Sequence, residues 1–95
     1  MFEGMHQPAA VTMIARTSKI RRGDVIVQQV PDKENPYREV RLTETPVNGE
    51  ILYQGRWIPV KYFTGEDVRN RKRVMYTGTE FQTWQIVRET SLFVR

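Results

Sequence analysis

The residues of this chain whose types and spacing fit them for chemistry are cations and aromatics. Arg16, Lys19, Arg21 and Arg22 fall within seven positions, and Arg69, Arg71, Lys72 and Arg73 within five, with no acid inside either stretch. The two stretches carry +8, while the other seven basic and eleven acidic residues sum to −4. Positive charge gathered in this way is the footprint of a polyanion-binding face, because a cation that neutralises a phosphate releases condensed counterions. That reading requires folding to bring the two stretches together; kept apart, they are solvated loop charges that favour solubility. Trp57, Lys61 and Phe63 alternate along one apolar segment. Exposed, such a face would stack nucleobases and hold a phosphate, as single-strand platforms do. Covered by a loop or tail, the same rings would be core.

Catalytic templates find no candidates. The sequence has no GxxxxGK[ST] or GxGxxG loop to cradle a phosphate and no cysteine nucleophile, and Ser18 and Ser91 stand apart from any base. The one histidine, His6, has no second histidine to share a metal. Glu66 and Asp67 are neighbours, which on an extended chain point to opposite sides and cannot flank one bond. General acid-base work needs a positioned pair, so a non-enzymatic protein without metal or cofactor is expected.

Composition limits what can hold these residues in place. Ninety-five residues with 39% hydrophobic and 27% charged content fit one folded domain with a single core. The absence of cysteine removes any need for an oxidising compartment. No apolar run is long enough to span a membrane, and the first fifteen residues lack a signal-peptide pattern, so a cytoplasmic protein is expected. Residues 1–9 read as a flexible tail and 10–95 as a single β domain.

The elements follow from periodicity and punctuation. The densest apolar run, Gly49 to Phe63, predicts a hairpin turning at Gln54-Gly55, with Ile58, Val60 and Tyr62 on one face and Trp57, Pro59, Lys61 and Phe63 on the other. Pro59 predicts an edge or a bulge there. Further strands are expected at Val11–Arg16, Val25–Val30, Tyr37–Thr45, Val74–Tyr76 and Phe81–Arg88, with a short closing strand at Leu92–Val94. Pro31 to Pro36 predicts a loop, Asn48-Gly49 a type I′ turn completing a three-stranded meander, and Thr77-Gly78-Thr79 another turn. Thr64 to Asn70 predicts one helical turn with Thr64 as its cap. The expected core is Val25, Val27, Val40, Leu42, Ile51, Ile58, Val60, Tyr76 and Ile86.

The basic turn Thr17–Asp24 running straight into Val25-Ile26-Val27 resembles the entry into a strand in Src-homology-3-like and Tudor-like small barrels. In size, charge and lack of cysteine the chain is similar to accessory proteins of bacterial phages and mobile elements. Together these readings predict an all-β domain, a small barrel or strongly twisted antiparallel sheet of six to seven strands with at most one short helical turn. Two functions are expected to compete. One is a nucleic-acid-binding module, for DNA or RNA, in which Arg16, Lys19, Arg21, Arg22, Lys61, Arg69, Arg71, Lys72 and Arg73 contact phosphates and Trp57 stacks. The other is a protein-interaction module, such as a phage accessory protein on a host or structural partner, docking through a strand edge or the Trp57, Phe63 face while the arginines steer association.

Overall fold

The computed structural model describes residues 9–30 and 36–90. Seven antiparallel strands form one sheet: β1 (Ala9–Arg16), β2 (Val25–Gln29), β3 (Tyr37–Leu42), β4 (Val47–Tyr53), β5 (Arg56–Asp67), β6 (Arg73–Thr79) and β7 (Thr83–Thr90). A single 3-10 turn, Thr17–Lys19, is the only helical element among the described residues. The spatial order is β1-β7-β2-β3-β5-β6, with β4 lying on β5 along the same edge as β3. The sheet curls into a half-barrel. Phe63 of β5 and Trp84 of β7, three strands apart in that order, meet edge to face with ring centroids 5.2 Å apart and planes at 85°.

The core fills the concave side. Ala15, Ile20, Ile26, Val40, Leu42, Phe63 and Ile86 form it, with Met13, Val74, Tyr76 and Trp84 packed against them. Alternation explains the set: Ile26 lies opposite Ile86 and Val40, and Leu42 opposite Gly65. Of the expected core, Val40, Leu42 and Ile86 sit here and Tyr76 borders it. Val25 and Val60 are buried on the convex side, whereas Val27, Ile51 and Ile58 are only half-buried. The two readings of the Trp57, Lys61 and Phe63 face divide along it: Phe63 is wholly buried, as the packed reading has it, while Trp57 on the same face is exposed. The cause is the length of β5. Its twelve residues begin on an arm that only β4 accompanies and end beneath the barrel, so one face passes from solvent into core.

Several turns are not where local sequence places them. Asn48-Gly49 lies inside β4, opposite Lys61 and Val60, so no meander forms. Instead β3 and β4 run end to end along β5, separated by a bulge in which Thr43 to Pro46 face only Phe63 and Thr64. Gly49 is needed because the Tyr62 ring lies across it, where a Cβ would collide. Gly78, likewise inside β6, is crossed by Thr17, Trp84 and Phe63; the reversal comes after it, at Glu80 and Phe81. The expected helical turn at Thr64 is absent, because Thr64 to Asp67 pair with β6 and β3 and Thr64 is buried. Gln54-Gly55 does turn the hairpin, with φ of 51° and 76°. The expected tail through residue 8, most of the Pro31–Pro36 loop and the Leu92–Val94 strand lie outside the described residues; residue 9 already belongs to β1.

Candidate nucleic-acid interface

Both basic stretches are turns, and each is built around an aspartate. In the first, Asp24 is buried. Its Oδ2 accepts from the Arg21 amide at 2.8 Å, and its two oxygens accept from Arg88 Nε and Nη2 at 2.9 and 2.8 Å. Arg88 Nη2 also donates to the Lys19 carbonyl at 2.9 Å, tying the turn to β7. Burial alone would push the Asp24 carboxyl up, but the Arg88 bonds, the Arg21 amide and the two cationic charges outweigh it and hold the group below the usual carboxylate range. Gly23, with φ of 93°, completes the reversal. Around this scaffold Arg16, Lys19, Arg21 and Arg22 point to solvent.

The second turn repeats the device at the end of β5. Asp67 Oδ1 accepts from the Arg69 amide at 2.8 Å and the Asn70 amide at 3.4 Å, an Asx-turn. The Arg71 amide donates to the Asp67 carbonyl and the Lys72 amide to Asn70 Oδ1, at 2.8 and 2.9 Å. Arg71 takes φ of 63°, a left-handed conformation uncommon for arginine, and the closing bond from Asp67 N–H to Lys72 O at 2.8 Å fixes it there. Arg69, Arg71, Lys72 and Arg73 are all exposed.

The two turns dock on the same strand. Gly23 N–H donates to Leu42 O and Val68 N–H to Glu39 O, both at 2.9 Å, so the turns grip opposite edges of β3 three residues apart. With strands ~4.8 Å apart and ~3.3 Å per residue, the docking points are about 14 Å from each other. Between them, on the convex face, stands exposed Arg41, level with Val25 on one side and Glu66 on the other. It lines a shallow depression of about 230 Å³ with Thr43, Val68 and Arg71 and the acids Glu66 and Asp67. Sequence reasoning missed Arg41 as a site residue, although its alternation away from Val40 and Leu42 already placed it on the solvent side.

The other expected site residues divide. Among the described residues Arg73 is the only one of the eight clustered cations in an ion pair, with Glu44 at 3.8 Å, and it also lies level with Glu66. Lys61 is half-buried in a groove of about 200 Å³ with Ser18, Asn48, Pro59 and Glu80, next to the first basic turn. Trp57 is exposed near the tip of the arm. Ten steps along β5 separate it from Asp67, about 33 Å of extended chain, so it cannot act at the same point as the second turn. Phe63 leaves the site altogether.

A larger depression of about 620 Å³ mixes Arg38 and Arg69 with Glu39 and Asp67, and it presents no single charge. Among the described residues no group of three or more His, Asp or Glu side chains is placed to hold a metal, and no helix is long and apolar enough to cross a membrane. Compared with protein-family models, curated proteins and solved structures, the chain matches none.

Proposed function

We propose that this protein is a non-enzymatic nucleic-acid-binding module that grips phosphates with two rigid basic turns. The observation that carries this reading is the docking of both turns on β3. The turns lie on either side of Arg41, which shares a depression with Arg71, and none of Arg21, Arg22, Arg41, Arg69, Arg71 and Lys72 has an ion-pair partner among the described residues. Cations held by backbone bonds and left unpaired keep their charge available for phosphate. Lys61 and Trp57, on the opposite face of β5 from Arg41, would add a separate contact along the arm, with Trp57 stacking a base.

Replacing Arg69, Arg71 and Lys72 by glutamine should weaken binding to all sequences and lower the salt slope by about 2 to 3, near 0.9 per duplex phosphate contact. Arg73→Gln should change it less, because Glu44 already engages that side chain. Trp57→Ala should cost about 1 to 3 kcal/mol on single strands with little change in slope. Fluorescence anisotropy with DNA and RNA of both forms, titrated in salt, measures all three. A wild-type protein that binds none of them near ~50 mM salt, where phosphate contacts are strongest, ends this reading.

A second reading, a protein-interaction module, has its own support. Leu52 and Trp57, a cross-strand pair on one face of the β4–β5 arm, are both more than half exposed, as are Val47 and Tyr53 on the other face. Adjacent large apolar side chains left exposed, as Leu52 and Trp57 are, are a feature of docking surfaces.

A further inference from the structure

The arm is incomplete as a sheet. β3 ends at Leu42 and β6 pairs with β5 no further than Val60, so among the described residues the arm from Glu50 to Pro59 is a two-stranded ribbon. A ribbon of two strands is marginally stable in water unless another strand or layer joins it. Its two edges are unlike. The two-residue turn makes Tyr53–Arg56 a hydrogen-bonded pair, and alternation down the ladder then makes Glu50–Pro59 a non-bonded pair. The missing N–H of Pro59 therefore faces outward and blocks strand addition along the β5 edge. On the β4 edge the outward backbone groups belong to Asn48, Glu50 and Leu52; Glu50 is the one charge among them, and the strand itself holds no proline, lysine or bulge. Tyr62 Oη reaches the Glu50 carbonyl at 3.4 Å, which leaves that oxygen's second lone pair open.

We infer that the β4 edge pairs antiparallel with β4 of a second copy of this chain, in a register centred on Ile51. The register follows from charge and shape. Centring on Glu50 would set two glutamates directly opposite, which is destabilising. Centring on Gly49 would place the twofold under the Tyr62 ring. Centring on Ile51 puts Glu50 opposite Leu52 of the second copy. It also lines four isoleucines, Ile58 and Ile51 from each copy, across one face of a four-stranded sheet. Leu52 and Trp57, 59% and 66% exposed, lie together on the other face in line with Glu50 and Pro59 of the second copy, and the two Leu52 side chains are diagonal neighbours. The pairing is short, so the dimer belongs at the weak end of specific interfaces, below about 1,200 Å² in total. This inference is independent of nucleic-acid binding.

Sedimentation of the full chain from about 10 µM to about 1 mM should show a monomer–dimer equilibrium. Leu52→Glu sets like charges opposite Glu50 twice per dimer and should weaken association roughly tenfold, whereas Leu52→Lys creates opposite charges there and should not weaken it. The chain has no cysteine, so Ile51→Cys provides a direct probe. A non-bonded antiparallel pair brings Cα atoms to about 4.5 Å, within disulfide range. Mild oxidation should therefore crosslink Ile51→Cys but not Tyr53→Cys, which faces Gly49 of the second copy. A monomer throughout that range, equal loss in both Leu52 variants, or crosslinking of Tyr53→Cys in preference to Ile51→Cys would overturn the inference.

Discussion

Phe63→Ala should cost about 3 to 5 kcal/mol and leave much of the population unfolded, since small domains hold only about 5 to 15 kcal/mol in total. The side chain is wholly buried. Its ring meets Trp84 edge to face, and its edge lies against Gly78. Removing it opens a cavity where the two sides of the half-barrel close on each other, and the rigid glycine backbone cannot fill that space. Trp57→Ala is the matched control. It truncates a larger ring on the same face of the same strand, but at a site 66% exposed, and should stay within about 0.5 kcal/mol of wild type. Urea unfolding of both variants measures the contrast. Equal losses would mean that the arm is packed and that β5 does not pass from solvent into core.

That contrast also shows which parts of the molecule can be read without coordinates. Strand faces set by alternation are legible where both neighbours are also strands: Val40 with Leu42 and Trp84 with Ile86 all point inward as their spacing predicts. The Gln54-Gly55 turn is legible because its positive φ angles are a local demand that the residue types declare. Gly49 and Gly78 mislead for the converse reason. Their backbones are strand-like, and glycine is required by what crosses them, the Tyr62 ring in one case and Thr17 with Trp84 in the other. These contacts join residues up to 67 positions apart in the chain, as in the bond from Trp84 Nε1 to Thr17 Oγ1 at 2.9 Å. No local window contains that information. The candidate site divides the same way. The basic runs are plain in the sequence, but Arg41 and the distance from Trp57 to the second turn depend on the order of strands in the sheet.

Asp24→Ala should be of comparable size to Phe63→Ala at neutral pH and should fade in acid. Asp24 and Arg88 are 3% and 17% exposed in their side chains and share two short bonds. Removing one partner of a buried pair leaves the other charge uncompensated, at a cost of about 3 to 5 kcal/mol. It also frees the Arg21 amide, so the first basic turn should loosen along with the fold. The pH dependence follows from the carboxyl's depressed position in the folded state. As pH falls, the unfolded chain takes up this proton first, near its ordinary value of about 3.9. The pair's contribution is therefore fully present above that value and is lost as pH drops through the folded one. Protonated Asp24 no longer holds Arg88 as an ion pair, so wild type and variant should converge. Asp24→Asn, which keeps the shape and one acceptor oxygen, should show the same flattening of the acid limb at a smaller neutral-pH cost. Urea midpoints from pH 7 to about pH 2.5 for the three proteins give the comparison. An acid limb of equal steepness in all three would place the acid sensitivity elsewhere and deny Asp24 its role as the anchor of the basic turn.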